Sequence, residues 1–210
     1  MSSQVRVLTP RPLRIAMIAA PRFPIAEPFS GGLEAQTWQL CDGLRRRGHR
    51  VDLFAAEGSD HAHPITFPPP DWGVRRSEAT DSTMPRRSIT AHQQVFRRIR
   101  QHLASYADHY DVIHNQTLQP EPLTFAEGLP VPLVTTLHTP PFPEIADVIG
   151  PGSGEFVAVS EFIAGQWTGL PRPATVIHNG VDPATWRFGP GGDALVWSGR
   201  IVPEKAPITP

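Results

Sequence analysis

One cysteine, Cys41, occurs in the 210-residue chain. It excludes an intramolecular disulfide and a cysteine-rich zinc site, and it suits a reducing compartment. One lysine, Lys205, stands among 19 basic residues. With so much Ala, Gly, Pro and Arg, that imbalance reads as GC-rich coding rather than as a functional signal. Net charge is −1, so no basic footprint points to nucleic acid or an anionic membrane. The longest apolar run, 15–20, is too short to cross a bilayer. Residues 1–12 hold no apolar stretch of the kind a secretory signal needs. The expected location is cytoplasmic, with peripheral contact at the inner face of the membrane left open. Two phosphate-binding signatures are missing as well. No Gly-x-Gly-x-x-Gly follows Ala20, and there is no P-loop.

What is present is an alternation of short apolar runs and helical stripes. Residues 13–20 read as a buried strand bounded by Pro12 and Pro21. A turn-rich loop leads to Gly31 and Gly32. Leu33, Thr37, Leu40, Cys41 and Leu44 then fall at helical spacing, with Gly48 as the C-cap. Residues 51–55 read as the next strand. Residues 57–87 are rich in Pro, Asp, Ser and His and form an irregular excursion, with a short strand expected at 65–67. Ile89, His92, Val95, Phe96, Ile99, Leu103 and Tyr106 line one stripe of a long helix. Further strands are expected at 111–114, 133–137, 155–159 and 174–177. Helices are expected at 120–127 and 161–167, the second capped by Ser160. This order predicts an α/β fold, a Rossmann-like and mostly parallel sheet with helices on both faces. Residues 1–187 form the expected domain. Residues 188–210 hold a break at FGPGGD, then a strand at 194–197 that begins a second domain.

Ligands of open α/β sheets bind at the carboxyl ends of the strands. The polar residues expected there are Gly31 and Gly32, then His114, Asn115 and Gln116, then His138 and Thr139. Ser160, Glu161, His178, Asn179 and Gly180 complete the set. The two glycines either make a tight turn or leave backbone N–H groups bare for a phosphate or a hydroxyl. His138 either caps a core strand or works on a ligand as donor or proton shuttle. His114 has the same two readings. His61 and His63 lie in a loop with no ligand set beside them, so both are expected to be solvated. Arg45, Arg46 and Arg47 read as an exposed helix end complementing the dipole. Arg200 and Lys205 are either ordinary surface charges or the pair that holds a diphosphate and stabilises it as a leaving group.

Six stretches, in order, carry a family resemblance. They are RIAMIAAPRFPIAEPFSGGLEAQTWQLCDGLRRRGHRVDLFAA, DVIHNQ, PLVTTLHTP, FVAVSEFI, VIHNGVDPATW and LVWSGRIVPEKAP. Together they resemble the GT-B glycosyltransferases of family 4. The resemblance covers most of the chain outside 57–110 and implies two Rossmann-like domains facing across a cleft. It implies a nucleotide-sugar donor, an acceptor hydroxyl and retention of anomeric configuration. No cofactor and no metal are expected, in keeping with the lack of an Asp-x-Asp motif. The Gly31–Gly32 loop would lie near donor phosphate or acceptor, and His138 near the reacting centre. Asn179 and Gly180 would sit near the hinge. Arg200 and Lys205 would bind the donor diphosphate.

The sequence departs from the family in two places. The pair of glutamates that grips the donor, seven residues apart, is not in it. Glu204-Lys205-Ala206 stands where the family has Glu-Lys-Gly. The expected chain is thus the acceptor-side half of a hexosyltransferase, missing its donor domain and inactive alone. Two other readings stand beside this one. One is a non-catalytic carbohydrate- or partner-binding module. The other is a relative that epimerises a sugar phosphate.

Overall fold

A computed structural model of the protein describes residues 11–71, 86–194, 196 and 197. Six strands form one sheet: β1 (Arg14–Ile18), β2 (Arg50–Phe54), β3 (Val112–Asn115), β4 (Leu133–Leu137), β5 (Glu155–Ala158) and β6 (Thr175–Val176). Their order is β2-β1-β3-β4-β5-β6, and every neighbouring pair is parallel. All six carboxyl ends therefore meet one edge of the sheet. Between the strands run α1 (Gly32–Arg46), α2 (Arg86–Ser105), α3 (Glu121–Ala126), α4 (Pro143–Ala146) and α5 (Glu161–Gln166). A 3-10 turn at Ala107–His109 leads into β3.

The strand pattern follows from where each strand lies. β1 is flanked by β2 and β3, and its two faces are both covered. That is why it reads as an unbroken apolar run rather than an alternation. Ala16 and Ile18 point to one face, where Phe54, Ile113, Leu133 and Phe156 join them. Val95, Phe96, Ile99 and Leu103 of α2 close that face, together with Leu123 of α3 and Ile163 of α5. Each large side chain buried this way contributes roughly 1.5–3 kcal/mol. Ile15 and Met17 point the other way, toward Cys41, Leu53 and the flanking Trp38, Leu40 and Leu44. This second core draws mostly on β1, β2 and α1. Cys41 sits inside it, and burial pushes its thiol up to about 11.

Gly48 and Gly154 are two of the four glycines with positive φ among the described residues. Gly48 has φ +85° and ends α1 as expected. Gly154 has φ +84°, and a Cβ there would lie 2.3 Å from the Leu133 carbonyl oxygen. Any side chain would push β5 away from β4.

The main expectations hold, with five corrections. Of the strand expected at 194–197, the described residues Ala194, Val196 and Trp197 lie outside any strand and are exposed, with no described strand beside them. At 65–67 the ladder shrinks to an isolated bridge, Ala56 with Phe67. The early part of the 57–87 excursion is packed: Phe67 is fully buried. Nor is His63 solvated. Its ring lies 4.5 Å from that of Phe54 and 4.6 Å from that of His102. Its Nδ1 accepts from the Ile65 N–H at 3.1 Å. The fifth correction concerns the α2 stripe. Ile89 and Tyr106 at its ends are exposed, while its middle is buried. One short helix, α4, was not expected at all.

The foot of the sheet is held by charge. Asp111, just before β3, accepts from the Arg14 backbone N–H at 2.8 Å. It also pairs with the guanidinium groups of Arg14 at 3.0 Å and Arg11 at 2.9 Å. Arg14 also donates to the Asp108 carbonyl. Among the described residues, no helix is long and apolar enough to cross a membrane.

Candidate functional site

The carboxyl edge of β3 and β4 carries a closed set of polar side chains. His114 and Thr136 share one face of the sheet, because β3 and β4 pair in the register His114 to Val134 and Asn115 to Thr135. His114 Nε2 lies 2.8 Å from Thr136 Oγ1. Gln116 follows β3, and its backbone N–H donates to Ile18 at 2.8 Å, so β1 anchors it. Its side chain is fully buried. The amide nitrogen lies 2.8 Å from His114 Nε2 and 3.1 Å from Thr136 Oγ1. The amide oxygen lies 2.6 Å from His138 Nε2. Two histidines, one threonine and one glutamine thus form one network, with Gln116 at its centre.

The network is neutral. Burial pulls His114 down to about 4. Burial and then the neighbouring His114 pull His138 down to about 4 as well. Neither ring carries a charge at neutral pH. His138 is half-buried, directly after β4. The turn beyond it is tied down, because Trp167 Nε1 donates to the Thr139 carbonyl at 2.8 Å. The ring of His138 is held at Nε2 by Gln116, and the backbone just after it by Trp167.

The other expected residues divide into four groups. Asn115 is fully buried and occupied internally: its amide donates to Thr135 Oγ1 at 3.3 Å and its oxygen accepts from the Thr117 N–H at 3.0 Å. Ser160 caps α5, accepting from the Ile163 N–H at 3.2 Å. Gly31 and Gly32 open α1, and neither needs a positive φ. A Cβ on Gly31 would meet Glu34 Oε2 at 2.9 Å, whereas one on Gly32 would meet nothing within 4 Å. The pair therefore does not serve a positive-φ turn. Glu161, Asn179 and Gly180 are exposed. Asp182 beside them pairs with Arg46 at 3.7 Å, linking the 179–182 segment to the end of α1. Arg200 and Lys205 lie outside the described residues.

Thr136 was not singled out from the sequence, and Gln116 was named only as one of the polar residues after β3. A glutamine after a strand ordinarily faces water. The sole hint was its place beside His114 at a strand end. Among the described residues, no three His, Cys, Asp or Glu side chains are grouped so as to hold a metal ion.

Residues 30–185 match Glycosyltransferase Family 4. A D-inositol 3-phosphate glycosyltransferase of Gordonia bronchialis is 29% identical over 138 residues, which is 62% of this chain and 30% of that protein. The chain thus spans about a third of the curated relative's length. Among solved structures, MurG of Acinetobacter baumannii aligns with TM-score 0.48 and 9% identity, over 81% of this chain and 47% of that one. An alpha-glucosyltransferase in complex with UDP and DNA aligns with TM-score 0.47 and 10% identity, over 84% and 45%.

Proposed function

From the premise that the chain belongs to glycosyltransferase family 4, we propose that it forms the acceptor-side wall of a retaining hexosyltransferase. The donor is a nucleotide-sugar and the acceptor a hydroxyl. The net reaction joins the acceptor oxygen to the sugar's anomeric carbon. The carbon–oxygen bond to the diphosphate and the acceptor's O–H bond both break, and the nucleoside diphosphate departs with the proton passing to it or to solvent. No metal takes part in this reading.

The observation that carries the proposal is the neutral network around His138 at the carboxyl edge of the sheet. It supports a division of labour. A half-buried, uncharged imidazole suits hydrogen bonding to a sugar or acceptor hydroxyl near the reacting centre. It does not suit neutralising a diphosphate. That charge falls to Arg200 and Lys205, which stabilise the leaving group. The space before α1 at Gly32 suits the close approach of phosphate or acceptor. Asn179 and Gly180 border the hinge to the donor-binding domain, beginning near 188. The reaction takes place in the cytoplasm, at the inner membrane face if the acceptor is a lipid.

A second reading, a carbohydrate- or partner-binding module, draws on the exposed Ile177, Val181, Trp186, Phe188 and Trp197. Product analysis separates the two. A protein carrying this chain joined to a donor-binding domain is incubated with nucleotide-sugars and hydroxyl acceptors. D-inositol 3-phosphate, which the relative's name supplies, heads the acceptor panel. Glycoside and nucleoside diphosphate are then measured together. The expected result is equal amounts of both, with His138→Ala and Lys205→Ala each lowering turnover at least ~10-fold. Saccharide binding without product selects the module. An epimerised sugar selects the epimerase-like relative.

A further inference from the structure

We infer that Gln116 is a positioning residue for His138: it holds the ring in the Nε2–H tautomer, so that the ring offers a bare Nδ1 lone pair to a ligand hydroxyl. The inference deepens the role proposed for His138 and rests on it.

Gln116 has no exposed surface, so its amide must find its partners within the protein. The nitrogen end has two protons and two neighbours, Thr136 Oγ1 at 3.1 Å and His114 Nε2 at 2.8 Å. The oxygen end has one neighbour, His138 Nε2 at 2.6 Å. With the amide this way round, both protons are used and the oxygen accepts from His138. Turned the other way, the nitrogen would face a single partner, and one buried proton would have none. Such an orphan costs about 1–3 kcal/mol. The favoured arrangement places the proton of His138 on Nε2 and the lone pair of His114 on its own Nε2.

Nδ1 of His138 makes no hydrogen bond to any described residue. As a lone pair it accepts a proton in a hydrogen bond and donates none. A sugar or acceptor hydroxyl supplies that proton. An ionised diphosphate oxygen does not. Burial keeps a second proton off the ring at neutral pH. The tautomer therefore selects for a hydroxyl at this point of the cleft and against a phosphate.

Long-range proton–nitrogen NMR on the labelled 210-residue chain reads both ring nitrogens of His138 directly. The expected spectrum shows Nε2 protonated and Nδ1 bare in nearly all molecules. A major Nδ1–H form would overturn the inference. Gln116→Met removes both hydrogen-bonding ends at similar volume and should release a mixture of tautomers. An unchanged tautomer in the folded variant removes Gln116 from the role. Gln116→Glu keeps an acceptor, so it should restore Nε2–H and move the His138 titration upward. Should Gln116→Met fail to fold, the wild-type and Gln116→Glu spectra decide. Activity of His138→Ala is scored separately. If that variant turns over normally while the wild-type ring is Nε2–H, the catalytic reading fails and the tautomer assignment stands.

Discussion

The two ends of β3 are built from opposite chemistry. At the foot, Asp111 is a carboxylate between two guanidinium groups, with Arg11 largely in water. Hydrogen bonds from Arg14, through its side chain and then its backbone, hold Asp111 well below the usual carboxylate range. At the head, a few residues on, the polar groups are buried and uncharged. Charge at the foot is cheap because water remains within reach. Charge at the head would pay full desolvation, so the head keeps its shape through neutral hydrogen bonds. One end fastens the strand. The other holds its side chains in a neutral hydrogen-bonded arrangement.

That contrast can be broken at its strongest point first. Gln116→Leu leaves His114, Thr136 and His138 without their shared partner. The expected loss is about 2–4 kcal/mol, since each orphaned buried group costs about 1–3 kcal/mol. Urea denaturation measures it. A loss inside experimental error would mean that the network holds nothing in place.

Acid titration comes next in size. His114 and His138 have folded values near 4, below the ordinary histidine value of 6.5. The unfolded chain takes up protons first as pH falls. Stability from these groups is therefore complete above about pH 6.5 and is lost on the way down to about 4. Asp111 behaves differently in the same window. Its folded value is depressed, so its contribution is whole above the carboxylate range and is lost as the pH falls through that range toward the lower folded value. Thermal midpoints of a His114→Asn, His138→Asn double variant should fall less steeply between pH 6.5 and 4 than those of the parent. The flattening is partial, because burial lowers His63, His92 and His102 too. Identical slopes would show that the head is not what acid attacks.

The smallest effect separates the ends by salt. High ionic strength screens the exposed Arg11–Asp111 pair and should lower the parent's midpoint slightly. In Asp111→Asn that response should shrink, and in Gln116→Leu it should match the parent. An equal salt response in all three chains would remove the foot pair as its source.

Elements whose pattern is local were legible before the structure. β4 was read at 133–137, its bounds in the structure, because an apolar run there is followed by His138-Thr139-Pro140. Ser160 announced α5 because a cap is a short-range device. α4 was hidden, as its four residues PEIA sit in a proline-rich stretch too short for any periodicity. His63 was misjudged for another reason: its partners, Phe54 and His102, lie on different elements. At the site, His138 stood out as a histidine ending an apolar strand. Asn115 and Ser160 looked equally available, and hydrogen bonds made after folding show both to be occupied by the scaffold.

The order of apolar runs and helical stripes determined the alternating α/β class, and an ordered set of short motifs determined the family. Both depend on side-chain spacing along the chain, which folding does not change. Which polar residues act together was decided by the register of β3 on β4, for that register sets His114 beside Thr136. The burial of Gln116, and with it the neutrality of His138, depends on neighbours far away in sequence. Burial and hydrogen-bond partners are properties of the assembled sheet, and so is the charge state they dictate.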